Sequence, residues 1–241
     1  MSDKNTNINE LGEFGLINHL TEKFTLTNSS SKLGVGDDAA VIEISDEEYM
    51  LLSTDTLIEE IHFNLMYMPL KHLGYKAVAV NVSDICAMNA TAEQITVSLA
   101  VSSRFPVEAL EELYEGIRYA CENYHVDLVG GYTSSSLSSL MITVSVVGRA
   151  KKESVVYRSG AKEHDLLVVT GDLGAAYVGL QVLEREKEVF KTNPNKAYEY
   201  AANLTEGLEH LELSKAVDDN DIDIDSLRKS VNRWKQNFDS E

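Results

Sequence analysis

The run Lys76–Met88, KAVAVNVSDICAM, restricts the fold more than any other stretch of the chain. It is apolar on nearly every side, and a helix of that kind has to be covered by other elements. A buried helix is expected over Leu70–Met88. Asn81 and Asp84 lie three apart within it and share a face. A carboxylate in such a helix is costly unless it is paired or ligates a metal. Asp84 is therefore either the partner of Lys76 or of backbone groups, or part of a site, and the cost of burial favours a site.

Elements able to cover that helix lie on both sides of it. Upstream, Glu10–Phe24 has helical spacing of Leu11, Phe14, Ile17, Leu20 and Phe24. Asn28–Lys32 reads as a polar loop. Ala39–Ile44 and Tyr49–Ser53 read as strands joined by an acidic turn at Ser45–Glu48, with Thr54–Asn64 as loop. Downstream, Gln94–Ser102 is an expected strand and Pro106–Tyr124 an amphipathic helix with Pro106 at its start. Val126–Val129 is a short strand ending at Gly130-Gly131, and Leu140–Val147 is another strand. Leu166–Thr170 reads as a strand, Gly171–Gly174 as a turn and Ala175 to about Lys187 as a helix. After Phe190 the character changes, and two acidic amphipathic helices are expected around the linker DDNDIDID at 218–225. That linker lacks the central glycine and closing Glu of an EF-hand.

The balance of 21 Lys and Arg against 39 Asp and Glu gives a net charge of −18. Duplex binding needs clustered basic residues to displace counterions, so a nucleic-acid partner is not expected. An acidic protein can still bind phosphates where divalent cations bridge the like charges. No stretch of 18 apolar residues suggests a membrane span, and the polar start MSDKNTNINELGEF has no secretory h-region. Cys86 and Cys121, isolated in apolar helical patterns, are expected to be reduced core thiols of a cytoplasmic protein.

Five features carry the candidate chemistry. Gly34-x-Gly36 precedes Asp37-Asp38, and adjacent carboxylates suit a hard cation, although Gly-Asp-Asp is also ordinary turn chemistry. Ser53-Thr54-Asp55-Thr56 follows an apolar run, either as metal ligands or as a strand end with a helix cap. Asp84 is the third. Gly130-Gly131-Tyr132-Thr133-Ser134-Ser135-Ser136 offers backbone N–H groups and hydroxyls to phosphate oxygens, or is a surface loop. Arg158, in YRSGAK, is a phosphate clamp or a surface arginine. His62 lies just beyond Asp55. There is no GxxxxGK[ST] sequence, no HRD or DFG triplet and no G-x-S-x-G elbow, so any ATP chemistry has to rest on metals held by carboxylates.

Taken together, GVGDDAA (34–40), STDTL (53–57) with His62-Phe63, KAVAVNVSDICAM (76–88), GGYT (130–133) and RSGAK (158–162) resemble the thiamine-monophosphate kinase family. That family lies within the superfamily of aminoimidazole ribonucleotide synthetase. The resemblance covers about residues 10–190. It implies a mixed-sheet, PurM-like N-terminal α/β domain with flanking helices over 1–150, which dimerises by its sheets. The start of a truncated second α/β domain over 151–190 and a divergent helical acidic tail over 191–241 would follow. It further implies transfer of the γ-phosphoryl of ATP to thiamine monophosphate, giving thiamine diphosphate, with Mg2+ required. By matching positions, Asp38, Ser53, Thr54, Asp55 and Asp84 would bind magnesium, supported by Asp37. His62 would contact the thiamine substrate, and Gly130, Gly131, Tyr132 and Arg158 would lie at ATP.

Two departures accompany the match. The family has Asp where this chain has Tyr132, and a neutral phenol is a poor replacement for a carboxylate ligand. The family's second-domain S-D-G-L and G-G-E-D-Y motifs are absent from the sequence. A catalytically impaired relative, acting as a nucleotide- and metal-binding dimerisation module, is therefore the alternative to an active kinase.

Overall fold

A computed structural model of the chain describes residues 8–171 and 173–192. The expected tail helices and the 218–225 linker lie outside the described residues. Two compact units divide at Glu163/His164.

In the first unit, helix α1 (Gly12–Thr21) and strands β1 (Ser31–Leu33), β2 (Ala40–Glu43) and β3 (Glu48–Ile58) lead to helix α2 (Leu70–Ala87). Strand β4 (Thr91–Val101), helix α3 (Val107–Tyr124) and strands β5 (Asp127–Ser135) and β6 (Met141–Lys151) follow. The strands form one mixed sheet in the order β1-β2-β3-β6-β4-β5. Only β4 and β5 pair in parallel. Because β6 runs antiparallel to both β3 and β4, β3 and β4 are parallel too. Parallel strands need crossovers, and α2 and α3 supply them.

Pro69 and Pro106 stand at the helix starts with extended ψ angles of 144° and 163°. At those positions the missing N–H costs nothing. α3 ends at His125, whose left-handed φ of 57° lets its N–H return to the Cys121 carbonyl. α2 lies against β3, β6 and β4 and buries Leu73, Ala77, Val78, Val82 and Ile85. Each large apolar side chain so buried contributes about 1.5–3 kcal/mol, which offsets the cost of taking Asn81 into the same layer. α3 packs on α2 rather than on β5, and every residue of β5 remains exposed.

Several expectations need correction. Thr54–Ile58 is strand, because its backbone pairs with β6 without a break from Glu48↔Lys151 to Ile58↔Met141. Gly130-Gly131 sits inside β5 rather than after it. A Cβ on Gly131 would collide with the Val97 carbonyl, so the close approach of β4 is itself a reason for glycine there. The loop expected at Asn28–Lys32 includes the start of β1. The apolar stripe of α1 is not a core face, since the helix buries none of its residues and Phe14 is 67% exposed. Cys86 and Cys121 are free, but Cys86 is exposed and Cys121 half-buried, so neither is a core thiol.

In the second unit, Leu166–Thr170 has no strand structure. Helix α4 runs from Ala175 to Thr192, longer than its periodicity implies.

Candidate functional site

The site forms where β3 passes α2. Alternate residues of a strand face opposite sides. Ser53 and Asp55 thus share the face turned to α2, while Thr54 and Thr56 face the other way. Ser53 is buried, and its Oγ donates to Asp84 Oδ2 at 2.6 Å. Asp84 is therefore not the partner of Lys76, whose Nζ donates instead to the His62 carbonyl at 2.8 Å. Two residues along β3, the Asp55 N–H donates to Asn81 Oδ1 at 2.8 Å, and Asn81 Nδ2 donates to the Ala77 carbonyl at 2.9 Å. Buried Asn81 thus uses both its oxygen and its nitrogen as a clip between helix and strand.

The Gly34–Asp38 segment closes one side. Asp37 Oδ1 accepts from the Asp38 N–H at 3.0 Å, and its two oxygens accept from the Arg158 N–H at 3.3 and 3.1 Å. The Arg158 guanidinium pairs with Asp38 Oδ1, and that bond is the main reason its pKa is raised. Asp84 has its pKa raised above 3.8, first by burial and then by the charges of Asp55 and Asp38. The Ser53 bond and the Arg158 charge work against that rise.

Asp38, Ser53, Asp55, Asp84 and Arg158 thus come together, with Asp37 behind them. Thr54 does not join through its side chain: its hydroxyl lies 3.0 Å from Ser145 Oγ and 3.1 Å from the Val144 carbonyl, on the other face. Gly130, Gly131 and Tyr132 do not join within one chain. β5 is three strands from β3, about 14 Å at ordinary strand spacing. Tyr132 is in register with Ser98, which is in register with Thr143 and so with Thr56. It stands in the row turned away from α2 and is 69% exposed. His62 lies in the loop beyond β3, with Nδ1 accepting from the Ile58 N–H at 3.0 Å.

Among the described residues, no three His, Cys, Asp or Glu side chains converge closely enough to hold a metal ion alone. The donor set still suits magnesium. It consists of hard oxygens, and Mg2+ is usually held by one or two carboxylates with waters and substrate phosphates completing the shell. Burial first, and then the charges of Asp55 and Asp38, raise the pKa of Asp84, and a cation beside it would offset both.

One residue absent from the sequence reading organises the far end of β3. Glu59, 7% exposed, pairs with Arg104 and accepts from the Leu140 N–H at 2.8 Å. In sequence it looks like half of an acidic loop pair with Glu60, and nothing there signals its burial.

The sheet order and its crossover helices define a mixed α/β domain, and residues 36–150 match the model for the AIR synthase related protein, N-terminal domain. The chain resembles the thiamine-monophosphate kinases. It is 38% identical over 187 residues to the thiamine-monophosphate kinase of Bacillus subtilis, an overlap of 78% of this chain and 56% of that protein. It is 39% identical over 184 residues to that of Aquifex aeolicus, covering 76% and 56%. A solved structure of AaThiL complexed with AMPPCP and TMP superposes with a TM-score of 0.67 at 36% identity, over 77% of this chain and 57% of that one. The chain spans little more than half the length of these relatives. No helix among the described residues is long and apolar enough to cross a membrane.

Proposed function

We propose that the chain acts as a thiamine-monophosphate kinase, moving the γ-phosphoryl group of ATP to the phosphate of thiamine monophosphate to give thiamine diphosphate and ADP. The observation that carries this reading is the Ser53–Asp84 bond with the charges of Asp38, Asp55 and Arg158 acting on the same carboxylate. The likeness to a kinase solved with an ATP analogue and TMP supports it. Phosphoryl transfer of this kind needs positioning and charge neutralisation rather than a covalent enzyme intermediate.

Asp38, Asp55, Asp84 and Ser53 would hold Mg2+, with Asp37 fixing the Asp38 turn. The ion, when bound, offsets the repulsion between the acceptor phosphate and the triphosphate. Asn81 keeps Asp55 in place while that charge is exchanged. Arg158 supplies the fixed cation of the site and can turn from Asp38 to a phosphate oxygen. His62 would contact the thiamine end. Thr54 would contribute through its backbone, since its hydroxyl is engaged on the opposite face.

Gly130, Gly131 and Tyr132 would meet the nucleotide from a second copy of the chain. Two copies packed through the face bearing Thr54, Thr56, Thr143 and Tyr132 would form the homodimer. In this reading residues 1–150 form the magnesium, ATP and dimerisation domain, 151–190 begin a second domain, 191–241 diverge from the family pattern, and the protein works in the cytoplasm.

The test is direct. Purified protein is incubated with ATP, Mg2+ and thiamine monophosphate, and thiamine diphosphate is measured after oxidation to its fluorescent thiochrome. Product that depends on both ATP and Mg2+ supports the kinase. Retained ATP-dependent thermal stabilisation without product would make the chain a nucleotide-binding relative, the alternative that Tyr132 raises.

A further inference from the structure

The loop after β3 is fixed at almost every residue. Glu59 exchanges backbone and side-chain bonds with Leu140, its N–H reaching the Leu140 carbonyl at 3.0 Å. Glu60 takes the left-handed φ of 66°, which non-glycine residues hold only under constraint. Its Oε2 accepts from Asn64 Nδ2 at 2.8 Å. Phe63 and Asn64 are buried. This frame leaves Ile61, 74% exposed, and the His62 ring outward, and of these two only the imidazole can hydrogen-bond. Its Nδ1 accepts from the Ile58 N–H, and a ring nitrogen that accepts carries no proton. The proton therefore sits on Nε2, which points a donor away from the backbone.

The carbonyl of the same residue is held from α2 by Lys76. This ammonium is half-buried, and burial pushes its pKa down. It has no carboxylate partner among the described residues, in a chain with 39 Asp and Glu. A charge withdrawn from water for a single neutral acceptor is costly. A neutral side chain could have packed there without that cost. What the lysine adds is reach and a charge-assisted bond to the one carbonyl that sets the His62 backbone.

We propose that Lys76 is a positioning residue for the acceptor substrate: by holding the His62 carbonyl it fixes an imidazole that presents Nε2–H to a hydrogen-bond acceptor on the substrate's organic end. The proposal rests on the reading of His62 as a substrate contact. α2 then serves as a ruler with three tethers, Asp84 to Ser53, Asn81 to Asp55 and Lys76 to His62. Lys76 and Asp84 are eight residues apart, about 12 Å along a helix. A small molecule with a phosphate at one end and a heteroaromatic ring at the other can span that distance.

The experiment compares the full chain with Lys76→Met and Lys76→Arg. Ring 15N spectra of His62 report the tautomer, and calorimetric titrations report thiamine monophosphate and the ATP analogue AMPPCP separately. The wild type should show one protonated and one bare ring nitrogen. Lys76→Met should average them and weaken thiamine monophosphate about tenfold, the scale of one bond from a charged donor, with AMPPCP affinity unchanged. Lys76→Arg should restore most of the loss. If Lys76→Met does not fold, Lys76→Gln carries the same comparison. Wild-type binding of thiamine monophosphate with an unaffected Lys76→Met overturns the proposal alone, as does equal weakening of both ligands. A wild type that binds no thiamine monophosphate overturns the substrate assignment and this proposal with it.

Discussion

Ser53 donates to Asp84 across 2.6 Å, joining the middle of β3 to the last turn of α2. The carboxylate sits near the negative end of the helix dipole, partly out of water and beside the charges of Asp55 and Asp38. Its one hydrogen-bond donor offsets only part of that cost.

Asp84 should therefore destabilise the protein when no cation is present. Its folded pKa lies above 3.8, so the folded state keeps this proton longer than the unfolded state does. Stability is lost as pH rises from 3.8 through the raised value, and the penalty is complete at neutral pH. Asp84→Asn is expected to raise the melting temperature at pH 7 without divalent cations. The gain should be at most about 1 kcal/mol, because the group is only partly buried and water screens its charge, and it should shrink toward pH 4. The same variant should lose stabilisation by Mg2+. Thermal melts across pH with and without Mg2+ check both parts. A destabilised Asp84→Asn at pH 7 without cations would contradict the account.

Arg158 and Asp38 are paired in the structure, and Asp38 is also a proposed cation ligand. The two partnerships compete. Arg158→Gln should let Mn2+ bind more tightly in the absence of nucleotide, by at most about fivefold, the scale of an exposed ion pair. Nucleotide binding should weaken in the same protein. Electron paramagnetic resonance of free Mn2+ during titration measures the first effect and calorimetry the second. Mn2+ binding that weakens in Arg158→Gln would mean that the arginine supports the cation site instead of guarding it.

Asn81 uses both ends of its amide inside the core. Asn81→Ala removes the side-chain partner of the Asp55 N–H, at a cost of about 1 kcal/mol, the net worth of one hydrogen bond, since Asp55 is exposed enough for water to take its place. Denaturant titration should show that loss. Asn81→Asp keeps the acceptor for Asp55 but forfeits the donor to Ala77, and brings a further negative charge toward Asp84 and Asp55. It should lose at least as much stability at pH 7.

How far the sequence displays this arrangement depends on which force sets each part. α2 was legible because an apolar helix must be covered, and Asp84 stood out inside it as a carboxylate in the wrong surroundings. Its partner was not legible. Ser53 is 31 residues away, and their meeting depends on how α2 lies on β3. β3 and β5 are longer than their apolar runs because a backbone ladder is indifferent to side-chain polarity. Thr54 and Thr56 find hydroxyl partners across the sheet in Ser145 and Thr143, which makes polar residues compatible with mid-strand positions. Glycines 130 and 131 read as a break, yet β4 approaches too closely at Val97 for any side chain at 131. Glu59 looked like loop, and only the arrival of Arg104 and Leu140 from distant elements makes it a buried anchor.

The crossing of α2 and α3 yields the sharpest stability test. Gly74 and Gly116 face each other there. A Cβ on Gly74 would overlap the Leu113 carbonyl, and one on Gly116 would overlap the carbonyl of Lys71. Both obstacles are backbone, so relief requires the helices to separate. Alanine is the better helix former by about 1 kcal/mol, but overpacking a tight core costs about 1–3 kcal/mol, and a clash with rigid backbone belongs at the upper end. Gly74→Ala and Gly116→Ala should each be destabilised by about 1–2 kcal/mol net. Gly15→Ala in α1 is the control, since its nearest neighbour would be Leu11 Cβ at an ordinary 3.5 Å, and it should be neutral or stabilised. Guanidinium midpoints of the three variants decide the matter. A shift of α2 would also move Asn81 and Asp84 against β3, so Gly74→Ala should weaken Mn2+ binding while Gly15→Ala leaves it intact. Unchanged Mn2+ affinity in a destabilised Gly74→Ala would show that the α2–β3 tethers hold the site independently of the helix crossing.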